Sequence, residues 1–236
     1  MKTLFAILTF TIINLQAFSQ IIDLPVFNTK SHKTLVIEKI ERTPTQTVFY
    51  MSISNELENG TGSFCADRQI YIKESKGDRM YFMDHTEGIP TCPESHQFKK
   101  TGEILEFRLY FPAIPENVQE IDLIENCSDN CFYFYGVVLN TTTNNEIKLF
   151  EKGVALFTDK KLEPALTCFL KINQTASDTQ SNIYAYSSYI IPLIYFQIGD
   201  TQNARNYFQK LKDSQVKDKQ YFIEKLQSET FFKELK

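Results

Sequence analysis

The chain has 236 residues, 42% of them apolar, and its aromatic side chains are 20 Phe and 12 Tyr with no Trp, which is ample material for a packed core and argues against a disordered chain. Its formal net charge is −4 with both signs interspersed, and no basic stripe could track a phosphate backbone, which argues against nucleic-acid binding.

At the N-terminus, Lys2 precedes a mainly apolar run over 4–15 broken by Thr9, Thr11 and Asn14, and the small residues Ala17 and Ser19 follow. This is the pattern a signal peptidase reads, so residues 1–20 are expected to be a cleaved signal, cut after Ser19 or Gln20. The product is expected to be exported, periplasmic or secreted. The run is too short for a membrane span, which needs about 20 apolar residues, and no cysteine follows the cut to carry a lipid anchor. The richest later stretch, 184–198, is also short and carries tyrosines at helical spacing, so no transmembrane segment is expected in the mature chain.

Residues 21–140 read with period two. Runs at 35–40, 47–53, 69–72, 79–82, 104–111, 120–124 and 132–139 are rich in β-branched and aromatic residues, with turn chemistry such as Asn59-Gly60, Lys76-Gly77-Asp78 and Gly88-Ile89-Pro90 between them. No helix-length segment lies between the runs to carry a parallel crossover, so the expectation is an antiparallel β-sandwich. Five polar residues, 141–145, then read as a linker that also supplies a helix cap. Beyond it the period becomes about 3.6, predicting helices over 146–157, 161–172, 182–198 and 201–212 and one or two more within 218–236, with Pro192 expected to kink the third. The fold class is therefore α+β, with the sandwich at 21–140 and a helical domain at 146–236.

The helical half repeats itself. Leu156, Ala165 and Phe169 are answered 39 positions later by Tyr195, Ala204 and Phe208. These residues, with the run 149–156 before the first set and Ile191 and Gly199-Asp200 around the second, resemble the tetratricopeptide repeat, in which a small residue lets two helices approach and an aromatic closes the pair. The spacing exceeds the usual period of about 34 residues, and the polar loop 173–181 absorbs the excess. The resemblance implies a groove lined by Ile147, Phe150, Val154 and Phe157 from the first copy and by Tyr186, Tyr189, Leu193 and Phe196 from the second. Repeats that grip a peptide carboxylate place Lys, Asn and Arg at such positions, and this chain does not. An apolar groove open to water would be a large sticky patch, so burial against the β half is the favoured expectation and an external partner the alternative. In the β half, 111–115 followed by 121–125 and an aromatic strand is similar to the last part of small sandwich domains of exported Gram-negative bacterial proteins, a likeness that implies no activity.

Cys65, Cys92, Cys127 and Cys131 all fall in the β half, and an even set in an exported domain points to bridges. The short loop between Cys127 and Cys131 favours a local pair and leaves Cys65 with Cys92. Zinc with His85 and His96 near Cys92, and free buried thiols, are the competing readings. His85 beside Asp84 offers a position for acid–base work, but three scattered histidines without a placed nucleophile make no catalytic constellation, and no phosphate loop or dinucleotide fingerprint occurs. The expected function is that of a non-enzymatic, cofactor-free interaction or scaffolding protein with an unknown protein or envelope component as its partner. The alternative is a sandwich that binds a glycan or small ligand through tyrosines such as Tyr71 and Tyr81.

Overall fold

The computed structural model describes residues 19–128 and 130–233; apart from Ser19 and Gln20, the expected signal lies outside them. The β half contains strands β1 (Gln20–Asp23), β2 (Thr29–Lys30), β3 (Leu35–Arg42), β4 (Gln46–Ser54), β5 (Gly62–Phe64), β6 (Ile70–Glu74), β7 (Met80–Phe82), β8 (His85–Glu87), β9 (His96–Phe98), β10 (Ile104–Pro112), β11 (Glu120–Glu125) and β12 (Tyr133–Val138). They form two five-stranded sheets, β1-β3-β4-β10-β8 and β2-β12-β11-β6-β7, and a small β5-β9 ladder. Every strand pair within these sheets is antiparallel.

Alternation dictates the layering. On β10, Leu105, Phe107, Leu109 and Phe111 point inward while Glu106 and Arg108 face water, and the same rule buries Ile70 and Ile72 on β6 and Leu123 on β11. The inward residues of both sheets join one core cluster, so the sheets pack face to face in a sandwich-like arrangement. A buried guanidinium closes one end: Arg42 donates to Gln20 Oε1 at 2.8 Å and to the Pro115 carbonyl at 2.5 Å. Gln20 Nε2 in turn donates to the Leu139 carbonyl and to Thr141 Oγ1, both at 2.9 Å. Of the two expected cut positions, only the one after Ser19 keeps Gln20 in this network.

The helical half comprises α1 (Thr141–Thr158), α2 (Leu162–Thr175), α3 (Asn182–Gln197), α4 (Thr201–Asp213), α5 (Lys219–Gln227) and α6 (Thr230–Lys233). The expected linker 141–145 is instead the opening of α1. Asn140 caps the helix, its side chain accepting from Thr143 N, and Asn144 is buried, accepting from Val26 N at 2.7 Å and donating to the Val138 carbonyl at 2.6 Å. The run reads as a spacer by composition, yet Asn144 bonds backbone of the sandwich and Thr141 accepts from the Gln20 side chain, which fastens the helix to it. α3 runs through Pro192 as one helix.

The two helical hairpins share their turn geometry. Lys160 N donates to the Phe157 carbonyl and Lys161 N to that of Leu156; 39 residues on, Gly199 N donates to Phe196 and Asp200 N to Tyr195, each pair of bonds matching at 3.1 and 2.9 Å. Lys160 and Gly199 both have positive φ, +62° and +86°. Ala165 and Ala204, and Phe169 and Phe208, are all buried, so the echo in the sequence marks equivalent packing positions. Gly153 sits where α1 meets α2, and a Cβ there would lie 3.0 Å from Phe169 Cε1 and Cζ. The close approach of the helices requires the missing side chain.

Candidate interaction surfaces

The expected groove residues fall into two groups. Tyr189, Leu193 and Phe196 are covered, and by the chain's own closing helices: Phe222 of α5 packs on Tyr189 at 5.4 Å between ring centroids, and Phe231 of α6 stacks on Phe196 at 4.6 Å. The favoured expectation of burial against the β half is therefore corrected. Among the described residues, the side-chain bonds joining the two halves are made by the start of α1, through Thr141, Asn144 and Lys148 with Gln20, Val26, Val138 and Asp23. α5 and α6 carry the apolar surface that the second hairpin needs, while the β half offers α1 mainly backbone groups.

The other group stays partly open. Ile147, Phe150 and Phe157 on α1 are half-buried, Val154 is 37% exposed, and Tyr186 on α3 is 41% exposed. Phe150 contacts Phe169 at 5.9 Å and Tyr186 at 6.4 Å, and Tyr186 meets Phe222 edge-on at 5.0 Å. Exposed Tyr221 of α5 extends the strip, and Lys225 lies over the rings of Tyr189 and Tyr221 at 5.1 and 5.8 Å. The result is an aromatic ledge with Lys225 at its margin, formed where α1, α3 and α5 converge.

A second aromatic surface occupies the outer face of the sheet β2-β12-β11-β6-β7. Phe82 is the register partner of Tyr71, Tyr71 of Ile124, and Ile124 of Tyr133, so four apolar side chains stand in one row across four strands. Tyr135 stacks on Tyr133 at 4.6 Å. Phe82 is 58% and Tyr135 40% exposed. Tyr81, expected beside Tyr71 as a ligand platform, is only 7% exposed and donates to Glu74 Oε1 at 2.8 Å; burial and that carboxylate push its pKa up to about 12. Alternation over β7 turns Tyr81 inward and Phe82 outward, so Phe82 takes the place beside Tyr71.

The outer face of the other sheet is occupied by its own side chains. Lys39 and Arg108 lie over the ring of Tyr50 at 3.8 and 5.0 Å, and His85 stacks on Tyr110 at 4.2 Å. Glu41 accepts from Tyr50, and Glu87 accepts from Tyr110 and Arg108. The Tyr50 hydroxyl is pushed up by burial and the Glu41 carboxylate, and the Tyr110 hydroxyl by its bond to Glu87.

The cysteines form the two expected pairs, Cys65–Cys92 and Cys127–Cys131, with Cα separations of 5.3 and 5.5 Å. Both bridges line a cleft of about 900 Å³ at one end of the sandwich, with His32, Asn55, Phe64 and Glu125. Glu125 is buried and accepts from Asp67 N and Phe132 N at 2.8 and 3.0 Å, yet desolvation still holds its pKa above the ordinary range. The histidines are engaged separately: His32 with Ser31, His85 with Tyr110, and His96 with Glu103 at 3.0 Å. Cys92 is committed to a bridge, so it does not join His85 and His96 in a zinc set. Among the described residues no group of three or more His, Cys, Asp or Glu is placed to hold a metal, and no helix is long and apolar enough to cross a membrane.

No family model, curated protein or solved structure matches the chain.

Proposed function

We propose that the chain is an exported, non-enzymatic interaction protein in which a sandwich-like β domain carries a short tetratricopeptide-like helical array. The observation that carries this reading is the ledge of Phe150, Val154, Tyr186 and Tyr221, left partly open between helices whose other apolar faces are covered. An aromatic surface with Lys225 over two of its rings has the composition of a protein-binding hot spot. Two disulfides in the β half suit an oxidising compartment, which supports export.

The partner is a protein or envelope component that buries aromatic side chains on this ledge. The test uses Val154→Asp and Tyr186→Ala, two exposed positions. Val154→Asp is expected to keep the wild-type melting temperature, Tyr186→Ala to lower it modestly through the lost ring contacts with Phe150 and Phe222 while staying folded, and both to lose the complex recovered from the native envelope by chemical cross-linking. Retention of that complex by both would reject the ledge as the contact.

A further inference from the structure

The row on the outer face of the second sheet is self-complementary, and we infer that it docks a second copy of this chain about a two-fold axis. The row runs Phe82, Tyr71, Ile124, Tyr133 across β7, β6, β11 and β12, and at about 4.8 Å between strands it spans about 14 Å. Its centre lies between Tyr71 and Ile124. A two-fold axis through that point, parallel to the strands, lays Phe82 on the partner's Tyr133 and Tyr71 on the partner's Ile124, and the reverse contacts follow by symmetry.

The polar flank obeys the same operation. Lys73 and Asp122 are register partners on the two central strands, one position along from the row on the same face, so the axis sets Lys73 opposite the partner's Asp122, twice. Asp122 is held in place for this: its Oδ1 accepts from Ser75 Oγ at 3.0 Å and from Gly136 N at 2.8 Å. On the other flank the side-chain amides of Gln69 and Asn126, already bonded to each other at 2.9 Å, would meet the partner's Asn126 and Gln69. Amides carry both donors and acceptors and can pair with their own kind. This charge complementarity, repeated by the symmetry, selects a second copy over an unrelated partner. Strands kept in the same direction across the interface give the aligned packing that twisted sheets adopt face to face. The inference stands independently of the helical ledge, and a dimer of this kind would present two ledges at once.

The test is sedimentation equilibrium of the mature, disulfide-intact protein up to about 1 mM, since so small a contact corresponds to a micromolar or weaker dissociation constant. Wild type is expected to dimerise. Phe82→Asp, at an exposed position, and Lys73→Glu, at a half-buried one on the same outer face, are expected to raise the dissociation constant at least about 10-fold while melting close to wild type. Ile104→Asp, an exposed apolar position on the opposite sheet, serves as the control and is expected to change nothing. A wild type that stays monomeric overturns the inference, and so does a dimer that survives Phe82→Asp or is lost in Ile104→Asp. Loss in Phe82→Asp with no change in Lys73→Glu overturns the two-fold arrangement. Calorimetry with cellohexaose and chitohexaose supplies the remaining arm: a monomer that binds either sugar, and loses it in Phe82→Asp, assigns the face to a glycan instead.

Discussion

Replacing Gly153 by Ala tests whether the first helical hairpin is packed as tightly as its geometry implies. The new Cβ would lie 3.0 Å from two ring carbons of Phe169 and 3.1 Å from Cys168 Cβ, so neighbours must give by a few tenths of an ångström. Phe169 is fully buried and backed by Phe150, and so has little room to move. Overpacking of this kind costs about 1 to 3 kcal/mol, while Ala in place of Gly inside a helix returns about 0.8 to 1 kcal/mol. The net expectation is a loss of about 0 to 2 kcal/mol, measured by urea unfolding. The sign should reverse in a Phe169→Leu background, where the ring is gone: there Gly153→Ala should stabilise by close to its full propensity gain. The difference between backgrounds, a coupling of about 1 to 3 kcal/mol, is the diagnostic quantity. If Gly153→Ala stabilises the wild-type chain by about 1 kcal/mol and shows no coupling to position 169, the close approach of α1 and α2 is wrong.

The turn equivalence gives an independent expectation. Lys160 occupies the left-handed position that Gly199 fills in the second hairpin, so Lys160→Gly should stabilise by about 1 kcal/mol, read as a rise of about 2 to 4 °C in melting temperature. Gln20→Ala should cost about 1 to 3 kcal/mol by leaving the buried Arg42 guanidinium short of an acceptor, and the exported protein should begin at Gln20, checked by intact mass. A mature chain beginning at Ile21 would contradict that network. Glu125 has a raised pKa in the folded state, so its contribution to stability is fully present below the ordinary Glu range and is lost as pH rises through its folded value. Glu125→Gln should remove that component from the pH dependence of the melting temperature, and an unchanged profile would refute the assignment.

The long strands were legible because five or more residues in strict alternation leave no doubt about period, as on β4 and β10. The two- and three-residue strands were not, because so short a run carries no period. For that reason β2, β5, β8 and β9 went unseen, and Tyr81 and Phe82 exchanged faces: parity on β7 is set by its pairing with β6, which only the assembled sheet reveals. The cysteine pairing followed from loop length alone. Residues 141–145 misled through composition, since the bonds of Asn144 to Val26 and Val138 join positions far apart or across an element boundary. In the helical half, the echo of Ala165 and Phe169 in Ala204 and Phe208 located both hairpins. Nothing in the same residues said what would cover the second one. Phe222, Phe231 and Phe232 were visible as an apolar side, but their docking on Tyr189 and Phe196 depends on the turn geometry after α4, where Asp218 adopts a positive φ of 54°.

The central claim, that the helical ledge is the contact surface of an exported interaction protein, is tested most directly by placing a photoreactive amino acid at position 186 in the full chain and irradiating the native envelope. The ledge predicts one discrete protein adduct from position 186, lost when Val154→Asp is added and absent when the probe stands at exposed position 104 on the far sheet. A ladder of adducts equal at both positions, or none at 186 while 104 yields one, would contradict it.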